Sequence, residues 1–372
     1  MSDKMRVGVI GCGVIAQIMH IPYILEYEQF ELIAIADSFQ AVLDDVGDYY
    51  NVKERHTDWR DLIKRDDIDA VVIAHSGSHY DTVMTAIDAG KHVLVEKPLS
   101  WNIRETQEIA DRATKSGVTV QLGYHKLYDP AFEYAKAQVE QIQDLTYVRV
   151  TLLHGADEFN RAPYRVRRGN NTIEHNRYEL ASYPEYIKAM QQGLAEGALQ
   201  PLVDEALGER KSDARLRTAY GLLTISVIHQ IYTLFGFMGK PTRVINADIW
   251  HDGGSINALL EYPNGVRASL DWHMLPHLND YHEEYAFYGN SDRVIWNLPG
   301  PYYRNFPSPV TIQGGDGALS WEKKIKVSYE EAFARELLEF YDNVQAKRQP
   351  RSSVHDAVIH SQFINELIAA VR

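Results

Sequence analysis

Glu96, Lys97 and Pro98 follow a four-residue apolar run, His92–Val95, with no loop between. Two opposite charges at the mouth of a buried strand cost desolvation unless they serve each other or a ligand. A lysine held there binds its proton less tightly, because burial disfavours the ammonium. It could then share a proton with an alcohol near neutral pH. Pro98 fixes the backbone and could form the cis bond that aims the lysine inward. A surface ion pair after an ordinary strand is the plain alternative.

A second group lies near the N-terminus, in "GCGVIA", residues 11–16. The pattern is G-x-G-x-x-A between an apolar run and a helical stretch. Gly11 permits a tight turn, Gly13 lets backbone approach a pyrophosphate, and Ala16 lets helix and strand pack closely. The backbone of Gly11, Gly13, Val14 and Ile15 would hold phosphates at the helix N-terminus, where unpaired N–H groups attract anions. Asp37 closes the second apolar run 24 residues beyond Gly13. Its carboxylate suits ribose hydroxyls and repels a 2′-phosphate, and its neighbours Ser38 and Phe39 bring no arginine. The expected cofactor is therefore NAD in preference to NADP. Glu96 and Lys97 would then face the nicotinamide ribose and a substrate hydroxyl. Cys12 reads as a small turn residue.

Elements that could position these groups alternate over the first third of the chain. "MRVGVIG", "FELIAIAD", "DAVVIAH", "KHVLVEKP" and "VTVQLGY" read as strands, with helices between them closed by Gly90 and Gly117. That alternation predicts a parallel sheet covered on both faces. From about Asp144 strand-like segments follow one another. In "VRASLDWH", Val266, Ala268, Leu270 and Trp272 share one face, and Arg267, Ser269, Asp271 and His273 the other, the mark of an antiparallel sheet with two unlike faces. Helices are expected over about 329–347 and 354–371. The predicted architecture is α/β: a Rossmann domain, 1–128, then an α/β domain, 129–372, with a large open-faced, mainly antiparallel sheet. The polar segment 156–216 interrupts that sheet, as a solvated insertion or as a substrate lid.

Composition narrows the class. The chain has 372 residues, 45% hydrophobic and 24% charged, which favours two domains of a globular protein. A net charge of −13 disfavours nucleic acid and anionic membrane. A single cysteine excludes a disulfide framework and fits a reducing cytoplasm. No apolar stretch is expected to reach the length of a membrane span, and no signal peptide is read at the N-terminus. His273 and His277 have i, i+4 spacing, but Pro276 breaks the helix it would need, so no metal site is expected.

With these features in place, "VIGCGVIAQIMHIP", "IAIAD", "VVIAHSGSHYDTVMTAIDAGKHVLVEKPLS" and "GYHKLYDPAF" resemble the Gfo/Idh/MocA family of NAD(P)-dependent oxidoreductases acting on sugars, inositols and related polyols. The resemblance is dense over residues 5–130. It implies a catalytic Lys97, a ribose-binding Glu96, and homodimers or homotetramers formed through the open sheet. In "LLTISVIHQIYTLFGFMG" it places His229 on the family's active-site histidine. Ile225 stands where an aspartate is common, and Tyr232 where a second acid is common. His75 and His79 fall in the loop assigned to the cofactor. In "GYHKLY", His125 replaces an amide and Leu127 an arginine, whose charge Lys126 could supply. Tyr124 and His125 either face the cofactor or cap the sheet. Tyr124, Lys126, Tyr128, Asp157, Lys97 and His229 are the candidate substrate contacts.

The expected function is hydride transfer between a secondary alcohol of a sugar, glycoside or cyclic polyol and the nicotinamide. Lys97 and His229 handle the proton, in roles that could be exchanged. Oxidation at the 3-position of a pyranoside is one form of it. The alternatives are a regulator that binds dinucleotide without turnover and a lyase or hydrolase using resident NAD.

Overall fold

The structure is a computed structural model that describes residues 4–170 and 183–371. The middle of the 156–216 segment, 171–182, lies outside the described residues. The chain divides into two compact units. The first comprises residues 1–125, 161–177 and 333–359; the second comprises 126–160, 178–332 and 360–372.

The first unit is built on a six-stranded sheet. Its strands are β1 (Met5–Ile10), β2 (Phe30–Ala36), β3 (Glu54–His56), β4 (Ala70–Ile73), β5 (His92–Val95) and β6 (Val120–Leu122). The order is β3-β2-β1-β4-β5-β6, with every pairing parallel. β4 is buried at every residue, and β1 and β5 at all but one, as strands covered on both faces must be. The order reverses between β1 and β4, and ligands of such sheets bind in the crevice beyond the carboxyl ends there. Two elements go beyond those expected, the helix Gln40–Tyr49 and β3. β3 reads E-R-H at the sheet edge, so it carries no apolar alternation to detect. At the opposite edge the C-terminal segment covers β6. Ser352 O accepts from Leu122 N–H at 3.0 Å, Ser352 Oγ donates to Leu122 O at 2.7 Å, and Gln121 Nε2 donates to Glu336 O at 2.9 Å. The backbone groups of that edge are thereby partly satisfied rather than left as a template for aggregation.

The second unit carries an eight-stranded sheet. Its strands are β7 (Tyr147–His154), β8 (Arg243–Trp250), β9 (Ser255–Glu261), β10 (Arg267–Met274), β11 (His282–Tyr288), β12 (Asp292–Leu298), β13 (Pro309–Gly315) and β14 (Ser320–Lys326). The order is β14-β13-β12-β11-β7-β10-β9-β8. All pairings are antiparallel except β7 with β10. β10 alternates as its sequence required: Ala268, Leu270 and Trp272 are fully buried, and Arg267, Ser269, Asp271 and His273 are half-exposed on the open face. β13 and β14 were not anticipated; nearly every residue of β14 is exposed, so burial wrote no pattern into it.

On the buried face lies a continuous helix, Ala214–Met238. It has 25 residues, and an 18-residue window within it has a mean hydropathy of 1.4, long and apolar enough to cross a membrane, which corrects the expectation that no stretch reaches that length. However, 67% of its apolar window is buried inside the protein, as in the core helix of a globular domain. Phe237 on this helix packs against Phe132, Phe287, Trp296 and Tyr285 at ring separations of 4.7–6.2 Å. Each such aromatic contributes about 1.5–3 kcal/mol through burial. Helices Tyr183–Glu196 and Gln200–Leu207 of the 156–216 segment also bury apolar residues in this unit, among them Ile187, Leu194, Val203 and Leu207. They are packed elements rather than a purely solvated insertion.

Candidate active site: a backbone groove and a buried polar cluster

A groove of about 530 Å³ opens in the first unit at the carboxyl ends of β1, β2 and β4. Gly11, Gly13, Asp37, Ser38 and His75 are among its walls. Gly11 has φ of +95°, and a Cβ there would come within 2.4 Å of the His75 backbone nitrogen, so only glycine fits. A Cβ at Gly13 would meet nothing within 4 Å, so its backbone faces open space of the kind a pyrophosphate needs. The helix that follows begins at Val14 and tightens into a π-turn over Ala16–His20. Ala16 is fully buried, as close packing on β1 demands. Asp37 accepts from the Cys12 N–H at 2.8 Å and the Phe39 N–H at 3.0 Å, which fixes its carboxylate at the groove wall. These residues fit a dinucleotide: open glycine backbone for phosphates and an oriented carboxylate for ribose hydroxyls. Cys12 is fully buried, and burial together with Asp37 pushes its thiol pKa up, as befits an inert turn residue.

Glu96 and Lys97 stand at the carboxyl end of β5. Glu96 is 7% exposed and bonds His20 Nε2 at 2.9 Å. Burial works against its charge, but the His20 bond and the nearby His20, Lys97 and His125 outweigh it and hold the carboxyl below the usual carboxylate range. Gly123 makes room for it, since a Cβ there would lie 3.2 Å from Glu96 Oε2. Lys97 is half-buried, its N–H donates to Glu96 Oε2 at 3.2 Å, and the Lys97–Pro98 bond is cis.

The neighbouring histidines have separate tasks. His75 lines the groove and bonds Thr82 Oγ1 at 2.9 Å. His79 is 1% exposed, with its ring nitrogens 2.6 Å from Pro98 O and 2.8 Å from His75 O. It ties the loop after β4 to the loop after β5 from behind. Burial first, then the neighbouring His75, pushes its pKa down to about 4, so it is neutral at pH 7. His125 is half-buried and stacks on Phe333 at 4.2 Å. Tyr124 is buried, which raises its phenol pKa.

The second unit holds a polar cluster of a different kind. Four donors converge on the Glu283 carboxylate: Lys126 Nζ at 2.5 Å, Tyr281 OH at 2.6 Å, Gln230 Nε2 at 2.7 Å and Tyr285 OH at 2.9 Å. Glu283 is 1% exposed and Lys126 6%. Burial opposes both charges. Lys126 and the bonds from Tyr281 and Gln230 nevertheless hold Glu283 below the usual carboxylate range. Burial pushes Lys126 down despite Glu283. With four donors on one carboxylate, the ionised pair is the state we assign. Lys126 is therefore a buried partner of Glu283, not a surface charge. His229 is half-buried beside this cluster; its Nδ1 lies 2.9 Å from the Tyr232 hydroxyl. Tyr232 thus partners His229 where an acid was missed, and a π-turn, Leu223–Val227, precedes them in the helix. Tyr128 is buried, and Asp157 lies 3.8 Å from His154 Nε2. Among the described residues no group of three or more His, Cys, Asp or Glu could hold a metal ion.

Reading along the chain did not single out His20, Gln17, Arg167, Arg168, Gln230, Tyr281 or Glu283. His20 had a local signal, in the quoted stretch after the glycine turn. The others become visible only when distant segments meet.

A phosphate cradle at the point where a parallel sheet reverses its order defines a dinucleotide-binding Rossmann unit, here joined in one chain to a large, mainly antiparallel sheet. Residues 5–124 match an oxidoreductase family with an NAD-binding Rossmann fold. That match, to the Gfo/Idh/MocA family, covers about a third of the chain. The chain is 31% identical over 137 residues to a myo-inositol 2-dehydrogenase of Thermotoga maritima, covering 37% of this chain and 41% of that protein. It is 33% identical over 124 residues to a glycosyl hydrolase family 109 protein of Shewanella baltica, covering 31% of this chain and 27% of that protein. The matched stretch thus spans about two fifths or less of these relatives' length. A 3-ketoreductase of Actinomadura kijaniata, solved with NADP, shares the fold at a TM-score of 0.72 and 19% identity, over 100% of this chain and 98% of that one.

Proposed function

We propose that the protein is an NAD(P)-dependent dehydrogenase acting on a secondary alcohol of a sugar, glycoside or cyclic polyol. The observation that carries this reading is the groove at the sheet's switch point, with Gly13 open to it and Asp37 fixed at its wall. The inositol dehydrogenase among its relatives supports the substrate class. A nicotinamide bound there supplies the hydride acceptor or donor. Gly11, Gly13, Val14 and Ile15 would hold its phosphates, Asp37 and Ser38 the adenosine ribose, and Glu96 the second ribose. NAD is preferred, because Asp37 repels a 2′-phosphate.

Lys97 and His229 are proposed as the proton-handling pair. Lys97 would polarise the substrate oxygen, and His229 would take or return the hydroxyl proton through Nε2 while Nδ1 contacts Tyr232. A tyrosine hydroxyl can donate or accept, so Tyr232 can follow His229 through either tautomer. Oxidation of a pyranoside 3-hydroxyl is one form of this chemistry, and assembly through the open face of the eight-stranded sheet is proposed with it.

The match to a glycosyl hydrolase family 109 protein favours one second reading, acetal cleavage with a resident dinucleotide. A screen of sugars, inositols and glycosides with NAD and with NADP separates them. Substrate-dependent growth of reduced cofactor absorbance in multiple turnovers is the expected result. Glycoside cleavage without net reduced cofactor would favour the second reading, and neither activity with any member of these classes would refute both.

A further inference from the structure

A second cavity opens in the first unit at the other end of its sheet. It has a volume of about 440 Å³ and lies where β5 and β6 begin, against the end of the helix Ile103–Ser116 and the connection between the helices Ala332–Ala346 and Val354–Ala370. A space of that size takes a small metabolite. It shares no described residue with the groove at the carboxyl ends of the strands. We propose that this cavity is an anion site, in which Lys347 and Arg348 hold inorganic phosphate or the phosphate group of a small ester.

The charge of its walls is of one sign. His92, Lys347, Arg348 and His355 line it, and among the described residues on the wall none is Asp or Glu. The chain as a whole carries a net charge of −13, and other arginines of this unit are neutralised by carboxylates: Arg6 by Asp69, Arg65 by Glu54 and Asp67, Arg351 by Glu339. Among the described residues Lys347 and Arg348 have no such partner. Cations gathered in a cleft focus their field on an anion inside it and can bond phosphate oxygens directly. The acid next along the chain, Asp356, is spent on the helix start, where it accepts from Ser353 N–H at 2.9 Å and Ser353 Oγ at 2.8 Å.

The backbone holds the two cations in place. Arg348 N–H donates to Asn343 O at 2.9 Å and Lys347 N–H to Val344 O at 3.3 Å, the paired bonds that close a helix through a left-handed residue. That residue is Lys347, with φ of +50°, where glycine would be unstrained. A long cationic side chain is thus kept at a position that favours none. The histidines add oriented donors. Thr119 N–H donates to His92 Nδ1 at 3.0 Å, so the neutral ring carries its proton on Nε2. Thr114 Oγ1 donates to the Ala110 carbonyl at 2.8 Å, so His355 Nε2 is the donor of its 3.2 Å contact with that oxygen.

Titration calorimetry of the whole protein with inorganic phosphate and with glucose 6-phosphate, at fixed ionic strength, tests this. The proteins are wild type, the double variant Lys347→Gln with Arg348→Gln, and Arg348→Glu. Both side chains are exposed, so the urea midpoint should not move. Kd should rise about tenfold or more in the double variant and in Arg348→Glu, because charge-assisted bonds are lost. Tighter binding of glucose 6-phosphate than of phosphate assigns the site to an ester; equal or weaker binding assigns it to the free anion. A smaller rise in both variants, or no binding of either probe to the wild type, overturns the proposal and leaves the dinucleotide reading of the groove untouched.

Discussion

The groove of the first unit and the cluster of the second solve opposite problems. The groove is mostly backbone: Gly11 turns, Gly13 stays open, and Asp37 is held by two N–H groups. Gly11, Gly13 and Asp37 fall within one βαβ stretch, so the spacing of a few types specifies them. The cluster is made of side chains. Lys126, Gln230, Tyr281 and Tyr285 meet on Glu283 from three separate parts of the chain, and none of them looks unusual in its own neighbourhood. A groove of this kind should tolerate the loss of a reactive side chain without unfolding. A closed network of buried charges should not.

The largest expected effect probes the cluster. Glu283→Ala strands the Lys126 ammonium in the core and should cost about 3–5 kcal/mol of stability, read by urea unfolding. Replacing both partners, Glu283→Leu with Lys126→Met, should recover most of that, because no charge is left unpaired. A double variant as unstable as the single one would mean that the tyrosines, not the ion pair, hold the site. Lys97→Ala probes the first unit, at the carboxyl end of β5. It should lower kcat by about 10²-fold while dinucleotide affinity and unfolding midpoint stay near wild type. Near-normal turnover would remove Lys97 from the mechanism, and a large loss of stability would erase the contrast between the two regions.

Legibility in the sequence follows the same division. Parallel strands buried on both faces leave continuous apolar runs, so β1, β2, β4, β5 and β6 could be read directly. β10 could be read because one face is buried and the other is open. β3 and β14 could not, since a polar edge strand owes its place to backbone pairing rather than to burial. Gly11, Asp37 and Lys97 could be placed because their positions depend on local turns and strand ends. Glu283 was not: its role depends on Lys126, 157 residues away, and a glutamate in an alternating strand looks like a solvent-facing residue. Arg167 and Arg168 were passed over for a related reason. Ser38 and Phe39 beside Asp37 carry no cation, while Arg167 and Arg168 reach the same groove from a segment far along the chain.

His79 sharpens the comparison at a smaller scale, because it is a titrating group buried behind the groove, where stability rather than catalysis should register it. Its pKa is pushed down to about 4 in the folded protein from an unfolded value of 6.5. The unfolded chain therefore binds more protons between these values, and its stabilising effect is present above pH 6.5 and lost as pH falls toward 4. Between pH 7 and pH 5 this one residue should cost about 2 kcal/mol. The depressed carboxyls, Glu96 and Glu283, titrate in the folded protein below the usual carboxylate range and lose their contribution only in more acid solution. In the window from pH 7 to 5 the deeply buried histidines are His79 in the first unit and His360, pushed by burial to about 3, in the second. The half-buried His92 and His273, which burial also lowers, make smaller contributions. Replacing His79 or His360 with glutamine and measuring urea midpoints at both pH values separates these two. His79→Gln should flatten the wild-type slope by about 2 kcal/mol, and His360→Gln by a similar amount. A slope unchanged in His79→Gln would mean that its ring is protonated in the folded protein, donating to both the Pro98 and His75 carbonyls, and that hydrogen bonding rather than burial sets its charge.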